Sequence, residues 1–277
     1  MTTPAAAALL ALARDTAIAA GDLVRARRAD GVDIAASKSS PEDIVTNADR
    51  ESEVLIRRLL AEARPNDGFH GEESDATAGS SGLTWVVDPI DGTVNYLYGI
   101  PAYAVSIAVV EGGTDPATWT TLAGAVLNPA TGELFTASAG GGSFLGDRAL
   151  QVKTGVELPL ALVGTGFGYS AARRVRQAQV VAGLIGEVRD IRRIGAAALD
   201  LCSVAASRLD IYYERGLNPW DHAAGALVAR EAGARVGAFG DDREGSDLVI
   251  AAAPDLYARF EPRLSHLFTE FMEENLS

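Results

Sequence analysis

A chain of 277 residues, 48% of them hydrophobic, can bury a sizeable core as one large domain or two joined ones, and no apolar run approaches the ~18 residues of a membrane span. Its formal charge of -13 argues against nucleic acid or an anionic membrane as partner, because both repel it at long range. The single cysteine, Cys202, excludes an intrachain disulfide framework; with three histidines beside it no usual Cys/His zinc site can be assembled, so any metal must be held by oxygen.

The N-terminal stretch MTTPAAAALLALARDTAIAAGDLVRARR has no basic region ahead of its apolar residues, and charges recur soon after. It reads as an amphipathic helix rather than a signal peptide, which makes a cytoplasmic location the default. The segment SKSSPEDIVTNADRESEVLIRRLLAEARPND turns at Pro41 and starts a second helix near Thr46. Thr46 and Asp49 have the spacing of a capping box, and an acid in the first turn complements the helix dipole. GFHGEESD leaves that helix through a loop, WVVD is a short strand, and TVNYLYG is a short helical turn or loop closed by Gly99.

From Pro101 the residues alternate, with Val105, Ile107 and Val109 on one face and Ala104, Ser106 and Ala108 on the other, which predicts a strand. LAGAVLNPATGELFTASAGGGSFLGDRALQV reads as more strands joined by Gly-rich and Asn-Pro turns, an antiparallel sheet. From LALVGTGFGY onward, strands alternate with helices near 171–187, 195–207 and 219–233, an α/β pattern. A boundary near residue 150 then separates an α+β half, 1–150, from an α/β half, 151–277. Cys202, in the apolar AAALDLCSVAA, reads as a small core residue.

The segment WVVDPIDGTVNYLYG sets Asp88 and Asp91 three residues apart behind an apolar strand. Carboxylates this close repel, and one is driven to take up a proton unless a cation lies between them. Further acids stand beside turns or helix starts in TNAD (Asp49), GEES (Glu72 and Glu73) and NPWDHAAG (Asp221). Each alone has a plain explanation, as a first-turn helix acid, a solvated loop acid or a turn cap. As a set, hard oxygen donors without thiolate suit Mg²⁺, Mn²⁺ or Ca²⁺.

Mg²⁺ shares its coordination with substrate phosphate, so an anion cradle beside the acids implies phosphoryl chemistry. Gly92 permits close backbone approach, and the amides of Gly92 and Thr93 open the next turn. Asp221 follows Pro219 at another helix start, so a second helix N-terminus could face the same site. Two other patterns fail on spacing. An Asp-x-Asp-Gly nucleophile motif needs its acids two apart, and GTGFG at 164–168 lacks the Gly-x-Gly-x-x-Gly interval, leaving it a loop near the site or a plain turn.

Taken in order, KSSPEDIVTNAD from Lys38, GEE from Gly71, WVVDPIDGTVNY from Trp85, GAAALDL from Gly195, Tyr213-Glu214, and PWDHAAG from Pro219 with EAG from Glu231 resemble the inositol monophosphatase family. These are Mg²⁺-dependent, lithium-sensitive phosphatases, and the resemblance is strongest to the bacterial inositol-1-monophosphatases. It implies an α/β fold, an alternating αβαβα sandwich, usually as a homodimer. The implied metal ligands are Glu72, Asp88, Asp91, Asp221 and the Ile90 carbonyl, holding two or three Mg²⁺ ions for which Mn²⁺ can substitute. Asp88 would bridge two ions, Asp91 and Asp221 would hold one of these, and Glu72 with Ile90 the other.

In the implied mechanism a metal-activated water attacks phosphorus in line, with Thr93 and Asp49 orienting and deprotonating it and Glu72 counted with them as catalytic; no covalent phosphoenzyme is needed. Gly92 and Thr93 are the phosphate-binding residues. The family's polyol contacts fall on Asp91, the amide of Ala196, and Glu214, whose plainer reading is a strand-end surface acid. Glu73 and Lys38 are further candidates, Lys38 either neutralising substrate charge or standing solvated in a loop. His70 occupies a position where relatives commonly have an aliphatic residue, and Ala196 one where many have Ser or Thr. Phe167 and Tyr169 line the polyol side or simply pack.

The implied reaction is hydrolysis of a small phosphorylated polyol, first myo-inositol 1-phosphate, to alcohol and phosphate. Histidinol phosphate, fructose 1,6-bisphosphate and 3'-phosphoadenosine 5'-phosphate are rival substrates on the same fold. A metal- or phosphate-binding scaffold without turnover is the reading from a different class, and the intact Thr93 and Asp49 pair speaks against it.

Overall fold

The computed structural model describes residues 4–32, 34–37, 44–241 and 248–272. Helix α1 (Pro4–Asp30) buries Leu9, Ala13, Ala17, Ala20 and Val24, recurring every three to four positions along one face. The hairpin of β1 (Ile34–Ser37) and β2 (Ile44–Thr46) leads into α2 (Asn47–Ala63). Thr46 is its N-cap, and the expected capping box is present: the Thr46 amide donates to Asp49 Oδ2 at 2.8 Å and the Asp49 amide to Thr46 Oγ1 at 3.4 Å.

The chain continues through β3 (Gly68–Gly71), β4 (Leu83–Asp91), α3 (Thr93–Tyr98), β5 (Ala104–Glu111), β6 (Thr120–Leu127), β7 (Leu134–Ser138), β8 (Gly142–Leu145) and β9 (Arg148–Ala149). Strands β3 to β9 form one seven-stranded sheet in chain order, with β3 and β4 parallel and every later pair antiparallel. Strand β4 runs further than WVVD. It continues through Asp91, and its register against β5 breaks between Asp88 and Asp91, where Pro89 has no amide to give the ladder.

The second half contains β10 (Leu162–Thr165), α4 (Ala171–Leu184), β11 (Asp190–Arg192), α5 (Ala197–Ala205), β12 (Ile211–Arg215), α6 (Pro219–Glu231), β13 (Arg235–Gly237), β14 (Leu248–Ala252) and α7 (Pro254–Met272). Its sheet has the order β11-β10-β12-β14-β13, parallel around β10 and antiparallel around β14.

Three cores stack these elements into five layers. Val105, Ile107 and Val109 of β5 face α1 and α2, while Ala104 and Ala108 face α5 and α6, as the alternation predicts. The same middle core takes Tyr212, Val249 and Ala251 from the second sheet, whose other face packs Ile211, Tyr213 and Ile250 against α4 and α7. Burial of each large apolar side chain such as Trp85 or Ile107 contributes roughly 1.5–3 kcal/mol. Small residues set the closest approach: a Cβ on Gly124 of β6 would lie 3.1 Å from the Ala224 backbone of α6. Cys202 is buried in this middle layer with its thiol free. Among the described residues no helix is long and apolar enough to cross a membrane.

Candidate active site

The acids meet because of strand register. Gly71 of β3 pairs with Val87 of β4, so Glu72 emerges beside Asp88, close enough for its charge to act on that carboxyl. Asp88 pairs across the sheet with Ser106, whose hydroxyl donates to the Trp220 carbonyl at 3.5 Å and so seats the start of α6 there. His70 and Trp220 meet edge to face with ring centroids 5.2 Å apart, a second tie between the residues flanking Glu72 and Asp221. Within α6, Asp221 accepts the Asn218 amide at 2.6 Å in a capping box, so its carboxylate is held at the helix start.

The turn after β4 is held as firmly. Ile90 N–H donates to Asp88 Oδ1 at 3.0 Å, and Asp91 Oδ2 accepts the Ala198 amide from the first turn of α5 at 2.7 Å. Gly92 has φ 88°, and a Cβ there would stand 3.0 Å from the carbonyls of Ala102 and Gly195, so both conformation and space require glycine. Thr93 Oγ1 lies 3.1 Å from Asp49 Oδ1 and 3.1 Å from the Ile90 carbonyl. Helix α3 has only six residues, so an anion there would be bound by its unpaired first-turn amides rather than by a long dipole.

Burial and mutual repulsion disturb Asp88, Asp91 and Asp221. Burial, followed by the charges of Glu72, Asp91 and Asp221, drives Asp88 far above the carboxylate range. Burial likewise lifts Asp91 to about 7, opposed by the Ala198 amide, and pushes Asp221 well up, with Glu72 and Asp91 adding to it. None of the largest influences on these three is a cationic side chain. A concentration of buried, uncompensated hard oxygen donors fits a hard divalent cation. Among the described residues no three Asp, Glu, His or Cys side chains already converge closely enough to hold an ion.

Asp49 is fully buried, and burial raises it to about 7 against the lowering hydrogen bonds from Thr46, with Glu73 and Glu72 adding repulsion. Glu73 therefore belongs to the same electrostatic neighbourhood. Lys38 lies outside the described residues.

On the opposite side, Glu214 is half-buried and accepts the Tyr212 hydroxyl at 2.7 Å, so it is not a solvated strand-end acid. A Cβ on Gly166 would fall 1.9 Å from Glu214 Oε2, which gives GTGFG a steric role: the loop leaves room for this carboxylate. Burial pushes Glu214 upward. Ala196, the N-cap of α5, lies against the Gly92 turn, since a Gly92 Cβ would stand 3.2 Å from its methyl. Phe167 is half-buried, whereas Tyr169 is exposed.

Three residues escaped the sequence reading. Asn95, 4% exposed, donates to the Ala102 carbonyl at 2.7 Å and the Ile194 carbonyl at 2.9 Å, joining α3 to the loop before Ala196. Asp200 is buried and lifted by burial first, then by Glu214 and Asp91, against the lowering Gly195 amide. Glu53 supports the loop carrying Glu72. Its one sequence signal was its place one helical turn after Asp49.

The profile of the inositol monophosphatase family matches residues 6–266. An inositol-1-monophosphatase of Mycobacterium bovis is 49% identical over 265 residues, 89% of each chain. A solved structure of Mycobacterium tuberculosis SuhB superposes with a TM-score of 0.80 at 45% identity, covering 94% of this chain and 97% of that one. A Nus factor SuhB of Pasteurella multocida is 39% identical over 245 residues, 85% of this chain and 89% of its own. With a profile match along nearly its whole length and the layered fold of these relatives, the chain belongs to the inositol monophosphatase family and is a phosphoric monoester hydrolase.

Proposed function

We propose that the chain hydrolyses myo-inositol 1-phosphate to inositol and phosphate with Mg²⁺ as cofactor. The observation that carries this reading is the gathering of Glu72, Asp88, Asp91 and Asp221, from strand β4, helix α6 and a loop, around a turn whose Thr93 hydroxyl bonds Asp49. Asp88, Asp91, Asp221, Glu72 and the Ile90 carbonyl would hold two or three ions. Bound Mg²⁺ would supply electrostatic stabilisation of the phosphoryl group and of charge developing on the leaving oxygen.

The chain's own groups supply the rest. The amides of Gly92 and Thr93 bind phosphate oxygens at the start of α3. Ionised Asp49 accepts the Thr93 hydroxyl proton, which turns a Thr93 lone pair toward an incoming water and gives that water's proton a route to Asp49. A carboxyl near 7 suits a general base at neutral pH. Glu214, fixed by Tyr212, accepts from vicinal polyol hydroxyls, with Asp91 and the Ala196 amide beside it. The homodimer and the lithium sensitivity that the resemblance implies belong to the same proposal. A scaffold without turnover has no use for Asp49 beside Thr93, a carboxyl whose burial outweighs its hydrogen bonds and destabilises the folded chain at neutral pH.

Phosphate release from a panel of inositol 1-phosphate, histidinol phosphate, fructose 1,6-bisphosphate and 3'-phosphoadenosine 5'-phosphate, with and without Mg²⁺, tests the reading in the wild type and Asp91→Asn. Inositol 1-phosphate should be preferred, and chelator or the substitution should abolish turnover. Activity that survives chelation would defeat the metal reading, and preference for another ester would reassign the substrate.

A further inference from the structure

Helix α2 carries Asp49, Glu53 and Arg57 at intervals of four, hence on one face. Asp49 serves the turn after β4 through Thr93, and Ser52 adds a hydroxyl bond to the Pro89 carbonyl at 3.4 Å. The next two residues of the stripe serve the other acidic loop. Glu53 is 3% exposed; its Oε2 accepts the Glu73 amide at 2.8 Å and its Oε1 the Ser74 hydroxyl. These are the two residues that follow Glu72. The residue before it, Gly71, has no room for a side chain, because a Cβ would lie 2.3 Å from Glu53 Oε2.

Arg57 completes the support. Its guanidinium donates to Ser74 Oγ at 2.6 Å, the Asp75 carbonyl at 3.0 Å and Thr77 Oγ1 at 3.3 Å, and stacks 4.1 Å over the Phe69 ring. Phe69 and Thr77 exchange backbone hydrogen bonds at 2.9 and 2.8 Å and close the loop at its base. One helix thus fixes the separation between the loop that bears Glu72 and the turn that bears Asp88 and Asp91.

We propose that Glu53, assisted by Arg57, is a positioning residue for Glu72 and thereby sets the affinity for the cation that Glu72 holds; the inference rests on the reading of Glu72 as a cation donor. A carboxylate accepts from both Glu73 and Ser74, whereas the amide of Gln offers one acceptor, and its NH₂ must meet either the Glu73 amide or a Ser74 hydroxyl that already accepts from Arg57. Glu53→Gln therefore frees one strut of the loop without changing side-chain volume. An outer partner that orients a ligand is worth on the order of tenfold to a hundredfold in metal affinity.

The test is a titration of the full chain with Mn²⁺, following free ion by electron paramagnetic resonance, beside kcat at saturating metal. Glu53→Gln should weaken Mn²⁺ binding about tenfold with kcat kept within about twofold. Ser74→Ala, a change at an exposed loop residue, should weaken it less and in the same direction. If both variants bind Mn²⁺ as tightly as the wild type while Glu72→Gln binds it worse, the positioning role is overturned and the reading of Glu72 stands. If Glu72→Gln itself binds Mn²⁺ normally, the reading of Glu72 fails first. A Glu53→Gln chain whose thermal midpoint and kcat fall with unchanged affinity also overturns the proposal, since that is what a purely structural role produces.

Discussion

The two sides of the pocket achieve order by different means. Around Asp88, Asp91 and Glu72 the backbone is pinned by side chains: the amides of Ile90, Ala198 and Glu73 donate to carboxylates, and the Ile90 carbonyl accepts the Thr93 hydroxyl. Around Glu214 and Asp200 order owes more to space: Glu214 accepts one hydroxyl, from Tyr212, and otherwise occupies the volume Gly166 leaves open, while Asp200 is sealed in the core. Uncompensated acids push apart, so a pocket that gathers them needs a frame stiff enough to oppose that repulsion. A surface that recognises a neutral alcohol needs shape and a few acceptors, and glycine is enough to shape it.

Substitutions can break this comparison side by side. Asp88→Asn should lower phosphate release on the order of a thousandfold while raising the thermal midpoint in chelator, because one of the repelling charges is gone. Activity within tenfold of wild type would show that the pinned side is not the reaction centre. Asp49→Asn keeps an acceptor for Thr46 and should cost about a hundredfold in kcat. It should also remove the rise in activity as pH climbs through about 7 in the wild type, a step that bound cation displaces to lower pH. A pH profile that keeps the step assigns it to another group.

On the shaped side, Gly166→Ala should raise KM about tenfold with kcat changed only a few-fold, since the new Cβ displaces Glu214 and not the acids of β4. A fall in kcat alone would place Glu214 in the chemistry instead of recognition. The smallest effect concerns the chain without metal. Burial raises Asp49 from the usual 3.8 to about 7, so the proton it holds stabilises the fold fully below pH 3.8, and that contribution is lost as pH rises through about 7. In chelator the thermal midpoint should drop by about 5 °C between pH 5 and 8, with a visibly shallower slope in Asp49→Asn. An equal slope in both chains would show that the other buried acids dominate the linkage.

Local pattern carried much of this architecture. The alternation in β5, the capping box at Thr46 and the stop at Gly99 are short-range effects, and they appear in the structure where spacing placed them. The run of β4 through Pro89 to Asp91 was missed, because a proline normally ends a strand and only the partner β5 shows that the ladder resumes. Glu53 drew no reading at all: nothing in its own neighbourhood reports that a loop some twenty residues later engages both its oxygens. Asp200 was equally silent, since its burial depends on strands β10 and β12 packing over α5.

By itself the sequence determined which residue types could do chemistry here: many carboxylates, one cysteine and an Asp-Gly-Thr turn confine any metal to oxygen ligands and suggest phosphate beside it. Tertiary structure alone decided that Glu72, Asp88 and Asp221 share a pocket, that Glu53 and Arg57 brace one of its loops, and that Gly166 shapes its far wall. The physical reason is range. Propensity, capping and alternation act within a few residues, whereas charge repulsion and excluded volume act between neighbours in space, and strand register chooses those neighbours.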